Sequence, residues 1–299
     1  MSVITVLRAA LVIAVIGGAV TLNAQERKGP EKRAKAASNA KESPMAGKVV
    51  VDAGTAALLD RMSDQLYFVS KDGVRKASCA GEVLKEVPGQ PPEKAAFRYD
   101  WDGTGKAPAG KTTFSDPSLG AKLLKGGVQD LNGLFQEESP LREEYAGCKL
   151  VATKEGGKTR IHVAEGKSKL GYTDMVLNAE ALPEEMTQAP PTPPGVPANV
   201  RIPAATVKSA FVKLGERFGL SRMTMIMAGT PMADVAVEYT LVKKHHVPAR
   251  VTQTTLEREV KDRPSKVPTS TLSRAPAGTR VSMHLKDWRF EESAAGGSK

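Results

Sequence analysis

Alternation with a period of two is the dominant hydrophobic pattern in the chain. Phe97, Tyr99 and Trp101 alternate with polar residues before Asp102-Gly103, as a strand with one buried face requires. Cys148 to Thr153 and Arg160 to Val163 flank Glu155-Gly156-Gly157-Lys158, which predicts a hairpin. Farther on, Val235, Val237, Tyr239 and Leu241 alternate, and Arg250 to Thr255 follows Pro248. Val281, Met283 and Leu285 lead into Trp288 and Phe290, with a change of phase at Lys286-Asp287 where a bulge is expected.

Helical spacing is rarer. Leu58, Leu59, Met62 and Leu66 recur on one helix face, with Thr55 placed to cap it. Val207, Phe211, Leu214 and Phe218 fall at i, i+4, i+7 and i+11, and Gly219 follows as a stop, so a second amphipathic helix is expected. Asp116-Pro117 and Ser139-Pro140 have the form of a cap and a first-turn proline opening short helices. The expected fold class is α+β, with antiparallel sheet and amphipathic helices packed on one face. The two helix-then-strand blocks suggest two similar lobes joined by a Pro-rich linker, although no fixed-period repeat accompanies them.

Segment composition sets the expected boundaries. Arg8 precedes an uncharged run from Ala9 to Leu22, and Leu22-Asn23-Ala24-Gln25 reads as a small-residue cleavage site, so residues 1–24 are expected to be a signal peptide. The alternative is a retained N-terminal membrane anchor, favoured by the basic flank Arg27, Lys28, Lys32, Arg33 and Lys35. Residues 25–47 are a basic and polar arm poor in large apolar side chains. Residues 48–188 form the first lobe, and residues 189–203, with six prolines, form an extended linker. Residues 204–292 form the second lobe, followed by a flexible tail at 293–299.

An exported chain is expected in the periplasm or secreted. Its two cysteines, Cys79 and Cys148, then suggest one disulfide closing a loop of about 70 residues, worth roughly 4 kcal/mol on a chain-entropy model. The composition is that of an ordinary soluble protein, at 40% hydrophobic and 25% charged, which excludes collagen, wholesale disorder and a polytopic helical bundle. The formal charge is +10, and residues 201–299 hold 17 basic against 9 acidic groups. Nucleic acid is not an expected partner, because acids intersperse the bases and aromatics are scarce. Anionic envelope surfaces suit the excess better.

Catalytic and cofactor motifs fail on context. Gly105 to Thr112 satisfies the pattern of a phosphate-cradling loop, but Pro108 lies inside it and Pro117 bars a helix after it, so no nucleotide is expected. Asp100, Asp102, Thr104 and Gly105 mimic the start of a calcium loop, yet Lys111 stands where its last carboxylate belongs. Glu137, Glu138, Glu143 and Glu144 gather four carboxylates without a sign of the burial that would split their pKa values. His245-His246 reads as a turn or strand end, and His162 and His284 as outward strand positions. No metal, cofactor or catalytic residue is assigned, and Ser38 to Lys41 matches a nucleophile motif only inside the arm.

The expectation is therefore a non-enzymatic cell-envelope binding or carrier protein for an apolar or anionic, lipid-like ligand. Met223, Met225, Met227 and Met232 are its candidate ligand contacts, since thioethers suit a pliable apolar site. A structural or protein-interaction module is the alternative, and an enzyme with dispersed residues a third reading. A helix set against an open sheet is similar in general plan to outer-membrane lipoprotein-sorting carriers, with no motif residue accompanying that likeness.

Overall fold

The computed structural model describes residues 53–105, 109–124, 131–137, 141–166, 168, 171–189, 204–256 and 275–292. The expected signal peptide, the arm, the C-terminal tail, the Ser139-Pro140 helix start and all but the first residue of the expected linker lie outside the described residues. Among the described residues no helix is long and apolar enough to cross a membrane.

Helix α1 (Ala53–Gln65) and a 3-10 turn (Val69–Asp72) precede strands β1 (Val74–Glu86), β2 (Glu93–Asp102) and β3 (Ala109–Phe114). Three short helices follow: α2 (Pro117–Leu124), α3 (Asn132–Phe135) and α4 (Leu141–Glu144). The rest is strand: β4 (Lys149–Glu155), β5 (Lys158–Glu165), β6 (Tyr172–Leu177), β7 (Pro183–Gln188), β8 (Ala205–Leu214), β9 (Arg217–Met227), β10 (Thr230–Val242), β11 (His245–Thr255) and β12 (Arg280–Glu292). They form one antiparallel sheet of 12 strands in the order β3-β2-β1-β12-β11-β10-β9-β8-β7-β6-β5-β4.

That sheet corrects the expected α+β class of two lobes. Strand dominates, and β7 pairs with β8 through Glu185–Gln188 against Ala205–Lys208, so the ladder runs unbroken past the proline-rich segment. The second amphipathic helix is also overturned, because Val207, Phe211 and Leu214 belong to β8 and Phe218 to β9. Val207 and Phe211 are four apart, which satisfies a period of two as well as 3.6. Gly215, at φ +62, turns the chain between the strands. Gly219 is no helix stop but a buried strand position opposite Val212.

Other expectations hold. Phe97, Tyr99 and Trp101 are buried on one face of β2, and the Gly156-Gly157 turn joins β4 to β5. Asp116 Oδ1 accepts from the N–H groups of Ser118 and Leu119, both at 3.0 Å, and so caps α2. The bulge appears where the phase changed: Ser78 faces Arg289, Ala80 faces Lys286, and Asp287 between them has φ +57.

The sheet curls. Helix α1 touches both β9 and β4, which lie five strand spacings apart, about 24 Å along a flat sheet against about 20 Å for the length of its 13 residues. One buried cluster joins side chains from β1, β4, β9 and β12 to Leu59 and Met62 of α1 and to Leu66 just after it, as a sheet bent round the helix requires. On the other flank Phe135 of α3 stacks on Trp101 at 5.4 Å and meets Tyr99 and Trp288 at 5.5 Å. Trp101 donates its indole N–H to Asn132 Oδ1 at 2.9 Å, which fixes α3 in place.

The expected disulfide is absent. Cys79 lies on β1 and Cys148 just before β4, toward opposite flanks of the strand order, and both are buried free thiols. Burial pushes the Cys79 thiol up to about 12 and raises that of Cys148 as well, with Glu144 adding to the latter. Both thiols are expected to resist an aqueous disulfide reagent in the native protein. Alkylation in denaturant without reductant, followed by intact mass, should add two labels per chain; none would restore the bridge. Gly81 supplies a packing test, since a Cβ there would lie 2.3 Å from the Phe97 ring and 2.7 Å from the His284 carbonyl oxygen. Gly81→Ala is expected to cost about 1–3 kcal/mol in urea unfolding, as overpacking does.

Candidate functional site

Cross-strand partners share a face of a sheet, so the pairing register identifies the inner surface. Met175 of β6 faces Met186 of β7, Met186 faces Val207 of β8, Val207 faces Met225 of β9, and Met225 faces Ala233 of β10. The first four are buried, so thioethers from three strands form one row on the inner surface. The neighbouring row runs Ser209, Met223, Val235, Gln253, Val281 across β8 to β12. Within it the Ser209 hydroxyl is buried without a hydrogen-bond partner among the described residues.

Met223 belongs to the main core. Met225 instead packs with Ala205, Met232 and Ala233 in a separate small cluster at one margin of the inner face. Met232 and Met227 are half-buried there, Met227 opposite Ala205. The structure therefore places Met223 in the main core, Met225 buried in the marginal cluster, and Met227 and Met232 half-buried at that margin. Met175 and Met186 went unmarked in the sequence because they come from a different stretch of chain. Only the register of β7 on β8 brings them into line.

The opposite end of β9 and β10 is split. Their ladder covers Arg222–Met227 against Thr230–Ala236 and stops, although β9 begins at Arg217 and β10 continues to Val242. The residues following α1 lie in this gap. Leu66 bridges Phe218 in parallel, and the Tyr67 N–H donates to the Phe218 carbonyl at 2.8 Å. The Tyr67 hydroxyl donates to Asp72 Oδ2 at 2.8 Å and accepts from the His246 N–H at 3.0 Å. Tyr67 thus ties α1 to β9, to the 3-10 turn and to β11.

Charged groups surround this tie. His245 is 0% exposed, with Nε2 at 3.1 Å from Glu292 Oε1 and Nδ1 at 3.8 Å from Asp72 Oδ2. Lys244 lies 2.6 Å from Glu292, and Arg217 lies 3.5 Å from Asp72. Hydrogen bonds from Lys244 and then His245 hold the Glu292 carboxyl below the usual carboxylate range. Burial, followed by the bond to Asp72, raises the Tyr67 phenol far above its ordinary value, so it stays a donor. Beside the turn, Ser63 donates to Glu137 at 2.8 Å, Lys71 lies 3.6 Å from Glu137, and burial lowers the Lys71 ammonium. These carboxylate and histidine partners are structural ties: Glu137 holds α1, and His245 holds the gap.

Lys111 and Thr112 lie on strand β3 and not at the start of a helix. Asp102 accepts from the Thr104 N–H and hydroxyl, an ordinary acidic turn. His162 is exposed on β5 at 2.8 Å from Asp174. Glu144 is buried, while Glu143 is exposed. A groove of about 480 Å³ crosses β3, β2, β1 and β12, lined by Lys76, Arg98, Asp100, Asp102, Lys111 and Arg289, so it carries both charge signs. Among the described residues, no three His, Cys, Asp or Glu side chains gather to hold a metal ion.

No protein-family model and no curated protein matches the chain. Solved structures resemble it weakly. An outer membrane lipoprotein-sorting protein domain from Vibrio parahaemolyticus has a TM-score of 0.39 at 12% identity, over 81% of this chain and 93% of that one. A LolA superfamily protein from Nitrosomonas europaea scores 0.30 at 8% identity, over 79% and 93%. A DUF1329 family protein from Desulfovibrio piger scores 0.34 at 9% identity, over 81% and 94%.

Tyr67→Phe removes the donor to Asp72 and the acceptor for the His246 N–H. It is expected to lower unfolding free energy by about 1–3 kcal/mol and to speed exchange of the His246 amide. The depressed Glu292 carboxyl contributes stability above the ordinary carboxylate value, and that stability is lost as pH falls through its lower folded value. Acidification should therefore loosen the β11–β12 end, and Glu292→Gln should flatten that part of the stability profile. An unchanged acid limb in the variant would remove Glu292 from the account.

Proposed function

We propose that the protein is an exported, non-enzymatic binding or carrier protein for a lipid-like ligand, held on the inner face of the curled sheet. The observation that carries this reading is the buried row Met175, Met186, Val207, Met225, which ends beside the half-buried Met227 and Met232. Unbranched thioethers adapt to an acyl chain with little strain, and the margin residues give that chain a way in. Ser209 adds a polar point next to Met223, suited to the ester or carboxyl end of an amphiphile, since an unpaired buried hydroxyl gains by acquiring a partner. The periplasm or the outside of the cell is the compartment in which such a carrier would work.

The test is binding of a dansyl-labelled fatty acid by the purified protein, with native mass spectrometry for co-purified lipid. A blue-shifted, saturable signal is expected. Met225→Asp should weaken it at least tenfold, because a carboxylate in an apolar row is strongly disfavoured, whereas Met225→Leu should retain it. Equal binding by both variants, with folding checked by circular dichroism, would contradict the inner-face assignment.

A further inference from the structure

Strand β4 is an edge of the sheet, and among the described residues it pairs with β5 alone. An unpaired edge offers a row of backbone donors and acceptors to any strand that can align with it. β4 has the sequence Lys-Leu-Val-Ala-Thr-Lys-Glu over 149–155, without proline, and all of it but Leu150 is exposed, Val151 by 43%. Natural edges are commonly blunted by lysine. Here the lysines are matched instead, because an antiparallel copy of the same strand centred on Ala152 sets Lys149 opposite Glu155 at both ends.

In that register Val151 faces Thr153, a β-branched pair, and Leu150 faces Lys154, whose aliphatic stem can cover it. A strand paired with itself in this way makes a closed two-fold interface. Lys149 lies 2.8 Å from Glu165 in its own chain, so its ammonium would sit between two carboxylates, Glu165 and the partner's Glu155. The other edge, β3, has no such match: its single charged residue, Lys111, would meet a threonine or its own copy.

We propose that β4 is a homodimerisation edge, two copies joining antiparallel about Ala152 into one continuous sheet. Sedimentation of the full chain over a range of concentrations should show a reversible monomer–dimer equilibrium. Lys149→Glu and Glu155→Lys should each weaken it roughly tenfold, since two attractive cross-strand pairs become repulsive. Mixing these two single variants should restore dimers, because the mixed pair sets opposite charges at both ends, and that recovery also shows that both variants are folded. A monomer at every concentration, a dimer indifferent to either change, open polymers, or no recovery on mixing would each overturn the proposal.

Discussion

A sheet with one apolar face must find a cover as wide as itself, and this chain has very little helix to offer. Twelve strands at about 4.8 Å spacing span roughly 50 Å when flat, while α1 is a single helix of 13 residues. Bending is the economical solution: the sheet wraps its inner face around α1, and α3 fills the other flank through Phe135. Other features follow from this constraint. The bulge at Asp287 and the run of inward aromatics keep β12 facing inward as it bends, and Gly81 leaves room for the Phe97 ring beside the backbone of β12.

Curling concentrates packing unevenly. The β1, β2 and β12 side is held by large rings in mutual contact, whereas the β6 to β9 side is lined by methionines and ends in a small separate cluster. At the split between β9 and β10, the direct ladder gives way to the bond from the Tyr67 N–H to the Phe218 carbonyl and to the Tyr67 hydroxyl, which donates to Asp72 and accepts from the His246 N–H. Both sides are parts of one sheet, and the buried Leu66 and Tyr67 fill the split between β9 and β10.

Much of the strand content was legible because alternation is a local property. Phe97, Tyr99 and Trp101 declare their strand without reference to any partner, and the Asp116 cap and the Asp287 bulge are equally local. The helix expected at Val207 failed because a spacing of four residues, as from Val207 to Phe211, fits both periods. The single sheet was hidden for a different reason. Joining β7 to β8 depends on a register between segments on either side of six prolines, which no local pattern encodes. Met175 and Met186 were missed on the same account. His245, expected at a turn or strand end, begins β11, but its burial between Asp72 and Glu292 depends on three elements far apart in sequence.

Continuity of the sheet across β7 and β8 is the central claim, and native-state hydrogen exchange under increasing denaturant tests it most directly. The account predicts that the inner ladder amides of β7 and β8 merge with those of β1 and β12 into one global unfolding free energy. Separate isotherms for residues 53–188 and 205–292, with the β7–β8 amides exchanging freely, would contradict it.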